Sequence, residues 1–161
     1  MVKKLDENPD FLLDHVGWRL WRANRAWQAE FAGGMRAAGH GWFTEARASL
    51  LGHLSRAGNR QAMLIERMGI SKQAVQQLLD GLEAEGIVER VSDPHDARGK
   101  LVRYTAKGLA ALQDGDAIKF QIEQGYKRRL GAEGLAALMK ALRAIGGDPD
   151  GGKQDEAHPS G

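Results

Sequence analysis

Five polar side chains, Ser71, Lys72, Gln73, Gln76 and Gln77, fall within seven consecutive residues, and their types are those that read a base-paired surface. A glutamine amide donates and accepts at once, which matches the major-groove edge of adenine. A lysine ammonium reaches phosphate or guanine, and a serine at a helix N-terminus joins free backbone N–H groups in holding a phosphate. Val75, Leu78, Leu79 and Leu82 recur at three- and four-residue spacing, so the polar residues form the opposite face of an amphipathic helix. Asp80, Glu83 and Glu85 appear only towards its C-terminal end. Repulsion from phosphates matters least there if the N-terminal end enters a groove. A solvated surface face has a similar composition; the polarity along the helix is what favours recognition.

A second group of cations follows directly. Ile87 to Val91 and Lys100 to Thr105 have strand propensity, and the eight residues between them include Asp93, Pro94, Asp96 and Gly99, which favour turning. This predicts a hairpin with Arg98 and Lys100 at or beside its tip and Arg103 further down. Arginine on such a ribbon is drawn to the negative potential of a narrow minor groove. Asp96, two residues before Arg98, is suited to orienting the guanidinium or to tying the loop through backbone hydrogen bonds.

Helices must position these groups. Apolar residues at 13, 16, 20, 27, 31 and 35 predict a first helix from Asp10 to Met35. Thr44 is a natural N-cap for a second helix carrying Leu50, Leu51 and Leu54. Asn59 is expected to cap a third, with Leu64, Ile65 and Met68, stopped by Gly69; Ser71 then caps the recognition helix, which runs to Gly86. Two helices joined by a tight glycine-containing turn make a helix-turn-helix. Thr105 restarts the chain as a long helix that Gly131 interrupts, and residues 132–145 repeat the apolar pattern.

The expected architecture is mainly α with a small β-hairpin wing. Residues 10–43 form an N-terminal dimerisation helix, 44–108 a winged helix-turn-helix DNA-binding domain, 109–145 the C-terminal dimerisation helices, and 146–161 a disordered tail. The apolar stripes at the two ends exceed what the middle module can cover, which favours a homodimer over a monomer folded back on itself.

Residues 44–110 resemble the winged helix-turn-helix of MarR-family transcriptional regulators. The resemblance is carried by MGISKQAVQQLLDGLEAEGIVER, by the Asp-x-Arg of DPHDARGKLV, and by the Tyr-Thr-x-x-Gly of YTAKG. With the flanking helices it covers about residues 10–145. It implies a homodimer on a palindromic operator in double-stranded DNA, with Ser71 to Gln77 in the major groove and Arg98 at the minor groove. It also implies a ligand-responsive repressor, many family members releasing DNA when a small, often phenolic, effector binds. Ala97 stands where the family often has a second basic residue, which weakens the expected wing contacts.

Composition narrows the remaining choices. The chain has 161 residues, no cysteine and a net charge of +2. Its tail, from Gly146, holds Asp148, Asp150, Asp155 and Glu156 against Lys153, so the body is mildly basic. Between Arg60 and Lys107 there are 8 basic and 7 acidic residues, so affinity for DNA must come from placement and not bulk charge. Absent cysteine excludes disulfides and thiolate zinc sites. The five histidines show no paired i, i+4 spacing, and no phosphate-loop, nucleophile-elbow or zinc-protease motif occurs. No metal, cofactor or enzymatic activity is expected, and no apolar run of membrane-spanning length occurs, so a cytoplasmic, non-membrane protein is expected.

Four tryptophans in so short a chain also require an explanation. Trp18, Trp21 and Arg22 on the first helix, with Trp42 and with His15 or His53, could line a pocket for an aromatic acid. The competing reading packs the tryptophans into the dimer core. An alternative for the whole molecule is a winged helix that docks proteins and makes no direct DNA readout.

Overall fold

The computed structural model describes residues 14–147. The chain divides into two compact units, one ending at Phe120 and the other beginning at Gln121. The first contains helices α1 (Val16–Ala37), α2 (Glu45–His53), α3 (Gln61–Met68) and α4 (Lys72–Ala84). It also contains strands β1 (Asn59–Arg60), β2 (Val88–Asp93) and β3 (Asp96–Tyr104) and the beginning of α5 (Ala106–Gly146). The rest of α5 makes up the described part of the second unit, and its helical backbone is broken at Gly131, where φ is 75° and ψ 167°. The expected tail lies outside the described residues beyond Gly147.

Local chemistry sets the element boundaries. Thr44 accepts from the Arg47 N–H at 3.3 Å, and Ser71 from the Ala74 N–H at 3.1 Å, so both predicted caps are in place. Gly69, with φ of 62°, ends α3 and makes the turn into α4. Thr105 accepts from the Gly108 N–H at 3.0 Å, starting α5. Its own hydroxyl donates back to the Gly86 carbonyl, which ties the end of the recognition helix to the start of α5. At Gly108 a Cβ would stand 2.0 Å from the Ile87 carbonyl oxygen, so only glycine permits this close approach.

Three expectations are corrected. The first helix begins at Val16, not Asp10: residues 10–13 lie outside the described set, and His15 is extended and caps the helix, its Nδ1 accepting from the Trp18 N–H at 3.2 Å. Asn59 does not cap α3. It belongs to a short strand, β1, and its side-chain oxygen accepts from the Ser55 N–H at 2.6 Å. That strand was invisible in a two-residue stretch with no alternation to read. The sheet is therefore three-stranded and antiparallel in the order β1-β3-β2, with Arg60 opposite Leu101 and Val88 opposite Tyr104.

The wing is the third correction. The strands run much further than expected and leave a turn of only Pro94 and His95. Asp93 pairs with Asp96 across the turn and Ser92 pairs with Lys100, so Ala97, Arg98 and Gly99 fall in an irregularity on the β3 side. Arg98 and Lys100 thus stand on a strand below the tip.

The core joins both motifs. Leu50 of α2 and its C-cap Leu54, Leu64 of α3, Val75, Leu79 and Leu82 of α4, and Ile87, Val88, Val102 and Tyr104 from the sheet region belong to one buried cluster. The face of α4 predicted to be apolar is the face that faces this core. Its polar face is consequently turned outward, as the functional reading requires.

Candidate nucleic-acid interface

Ser71, Lys72, Gln73 and Gln77 are exposed and Gln76 is half-buried. The Ser71 hydroxyl also serves as the N-cap, so the first turn of α4 presents free backbone N–H groups beside it. No acid occupies that first turn. Lys72 forms no ion pair among the described residues, nor do Arg98 and Lys100, which are both exposed. These three cations remain available to an anion.

Arg90 and Arg103 are instead held by protein partners. Arg90 of β2 reaches across to α4 and pairs with Glu83 at 2.6 Å and Asp80 at 2.5 Å. Its hydrogen bonds hold the Glu83 carboxyl below the usual carboxylate range and raise the Arg90 guanidinium further. The negative charge at the acidic end of the recognition helix is thereby reduced from within. Arg103, counted by sequence among the DNA contacts, pairs with Glu89 across the strands at 2.6 Å.

Asp96 acts on backbone and not on the guanidinium: its Oδ1 accepts from the Arg98 N–H at 3.0 Å. Asp93, expected as a turn-favouring residue, has a further part in the structure. Its side chain is 3% exposed; Oδ1 accepts from the His95 N–H at 2.9 Å, and Oδ2 lies 2.8 Å from Arg60 Nε in an ion pair without hydrogen-bond alignment. Arg60 therefore clamps the wing turn to the start of α3. Sequence reasoning missed this pair because its members are 33 positions apart and the strand that carries Arg60 was not foreseen.

A cavity of about 730 Å³ is lined by residues of α1, α2 and α5 and by Tyr104. Its aromatic walls come from Trp27 and Phe31 of α1, from Trp42 and Phe43, and from Tyr104, with Arg25 and Lys119 among its polar lining. Of the six residues proposed for an aromatic-acid pocket, Trp42 lines this space. His15, Trp18, Trp21, Arg22 and His53 do not. Trp18 and Trp21 instead stack on each other at 4.9 Å on the exposed face of α1, 40% and 52% accessible. His15 is occupied as the α1 cap, and Arg22 and His53 are exposed. The helical period predicted a shared face for Trp27 and Phe31, and that apolar stripe, read as dimer core, is what meets the cavity.

A helix-turn-helix followed by a two-stranded wing, with a third short strand closing the sheet, defines a winged-helix protein. Residues 43–99 match the MarR family. Among curated relatives it is 30% identical over 88 residues to the transcriptional regulator HosA of Escherichia coli O111:H-, a stretch that is 55% of this chain and 65% of that one. The match thus spans just under two thirds of the relative's length. The transcriptional repressor CouR, solved bound to a 23-mer DNA duplex, superimposes with a TM-score of 0.65 at 26% identity, covering 84% of this chain and 94% of CouR. The ligand-free wild-type MarR of E. coli shares the fold, with a TM-score of 0.67 at 22% identity over 82% of this chain and 96% of that one.

Proposed function

We propose that the protein is a dimeric, sequence-specific DNA-binding transcriptional regulator, a repressor that reads a palindromic operator and answers to a small effector. One observation carries this reading: the outward face of α4 offers Lys72 and three glutamines with no acid in its first turn, while Arg90 pairs with two of the three acids towards its other end. The side chains that read base edges are thus presented at the helix end that enters a groove. The wing adds Arg98 and Lys100. A DNA-bound neighbour of 26% identity is consistent with the same use of the fold.

Dimerisation is supported by apolar surface that each unit leaves uncovered. In the first, Val16 is 72% exposed beside the Trp18–Trp21 stack; in the second, Leu130, Leu138, Met139, Leu142 and Ile145 are exposed. A second copy would bury such surface. The two recognition helices would then read half-sites about 34 Å apart, one turn of duplex, so a change in their spacing changes affinity. The cavity suits an aromatic anion: apolar walls hold a ring, and Arg25 or Lys119 meets its charge. An effector that favours the mis-spaced arrangement acts as inducer.

Selection of bound duplexes from a random pool tests the reading. The expected outcome is enrichment of one inverted repeat with half-sites about one turn apart. Recovery of unenriched sequence, with no symmetry, would remove the regulator reading in favour of a protein-docking winged helix.

A further inference from the structure

We propose that Tyr104 is the positioning residue through which an occupied cavity disturbs the recognition helix. The inference rests on reading the cavity as the effector site, and it names the element that makes occupancy felt at α4.

The ring of Tyr104 lines the cavity, and the residue is 7% exposed. Its hydroxyl donates to the Leu51 carbonyl at 3.2 Å and lies 3.5 Å from that of Leu54, Leu51 being itself a lining residue. Leu51 is in the last turn of α2 and Leu54 is its C-cap, and the Leu51 carbonyl also accepts from the Leu54 N–H at 3.1 Å, so the hydroxyl bonds to the closing turn of the helix. Burial pushes the Tyr104 hydroxyl up to about 12, so it stays a donor throughout the physiological range.

Both sides of this hydrogen bond are mechanically connected. Leu50 of α2 and its C-cap Leu54 belong to the same buried cluster as Leu64 of α3 and Val75, Leu79 and Leu82 of α4, so a shift at the end of α2 is a shift in the floor on which α4 rests. Tyr104 itself has little freedom to retreat. Its backbone is paired with Val88, and the next residue, Thr105, is tied to Gly86 and caps α5. A molecule pressing on the ring therefore moves the hydroxyl off α2 and leaves the strand where it is. Among the described lining residues, Lys119 is the other side chain with a hydrogen bond, to Asp116 at 3.1 Å. That pair is half-exposed and solvent screens it, so it transmits less.

The test needs no effector. Gly115 lines the cavity, and a Cβ there would meet Phe31 Cζ at 3.6 Å and Met35 Sδ at 3.8 Å, ordinary contact, so Gly115→Leu fills the space with a permanent occupant. Ala32→Leu does so from α1. Amide hydrogen exchange is measured along α4 in the full chain for wild type, each filler, Tyr104→Phe, and each filler combined with Tyr104→Phe. Each filler and Tyr104→Phe alone should speed α4 exchange about tenfold, and each combination should lie within about twofold of its faster single variant, since all act through one hydrogen bond. The proposal is overturned if the increases multiply, if Tyr104→Phe leaves α4 exchange at the wild-type rate, or if that variant loosens α1 as much as α4, which would mark a purely structural role. Titrating wild type with 1-naphthoate and following tryptophan fluorescence separates the two layers: no binding counts against the effector reading alone, and the exchange experiment still decides Tyr104.

Discussion

The first two turns of α4 and the wing both present polar side chains but use them in different ways. On α4 the polar groups face outward and Lys72 has no acidic partner. In the wing most charges are tied internally: Asp93 to Arg60, Glu89 to Arg103, and Arg90 back to α4. Asp96 is tied too, through backbone. Formal charge is thus a poor guide to a nucleic-acid face in a module so nearly balanced. The informative quantity is which cations have no partner in the folded chain, and here the wing contributes two, Arg98 and Lys100, to the one at the start of α4.

Substitutions can break that contrast in order of effect. Arg98→Ala removes an unpaired charge-assisted contact and should weaken operator binding by about 1.5–3 kcal/mol, or ten- to a hundredfold, on every sequence. An unchanged affinity at matched salt would take the wing out of the interface. Gln76→Ala or Gln77→Ala should cost about 1–3 kcal/mol at particular base pairs and little on a duplex altered there. Equal loss on all duplexes would count against direct readout by α4. Arg103→Ala sharpens the comparison most finely. Because its charge already meets Glu89, operator affinity should change by less than about threefold, and stability by no more than about 1 kcal/mol, the range of an exposed pair. A loss as large as that of Arg98→Ala would show that pairing within the chain does not predict availability to DNA.

These distinctions explain how far the sequence could be read. Caps at Thr44, Ser71 and Thr105, stop signals at Gly69 and Gly86, and the amphipathic period of α4 are local, and all of them hold. The wing was legible as a hairpin but not in its length, because Asp93 and Asp96, turn formers by propensity, are drawn into strands by pairing with each other around Pro94 and His95. The Arg60–Asp93 clamp and the Arg90–Asp80–Glu83 group depend on tertiary approach, which no spacing rule anticipates. The tryptophans illustrate the same limit. Helical period identified which of them share a face, but whether a face meets core, cavity or solvent depends on what packs opposite, and so Trp18 and Trp21 stack in the open while Trp42 is buried.

The central claim is that three otherwise unpaired cations per chain, Lys72, Arg98 and Lys100, meet phosphate or groove on both halves of a symmetric site. The direct measurement is equilibrium affinity for a selected duplex across a range of salt concentrations. Six such contacts in a dimer predict that log K falls linearly with log salt with a slope of about −5, and that Arg98→Ala reduces its magnitude by about 2. A wild-type slope near zero would contradict the account.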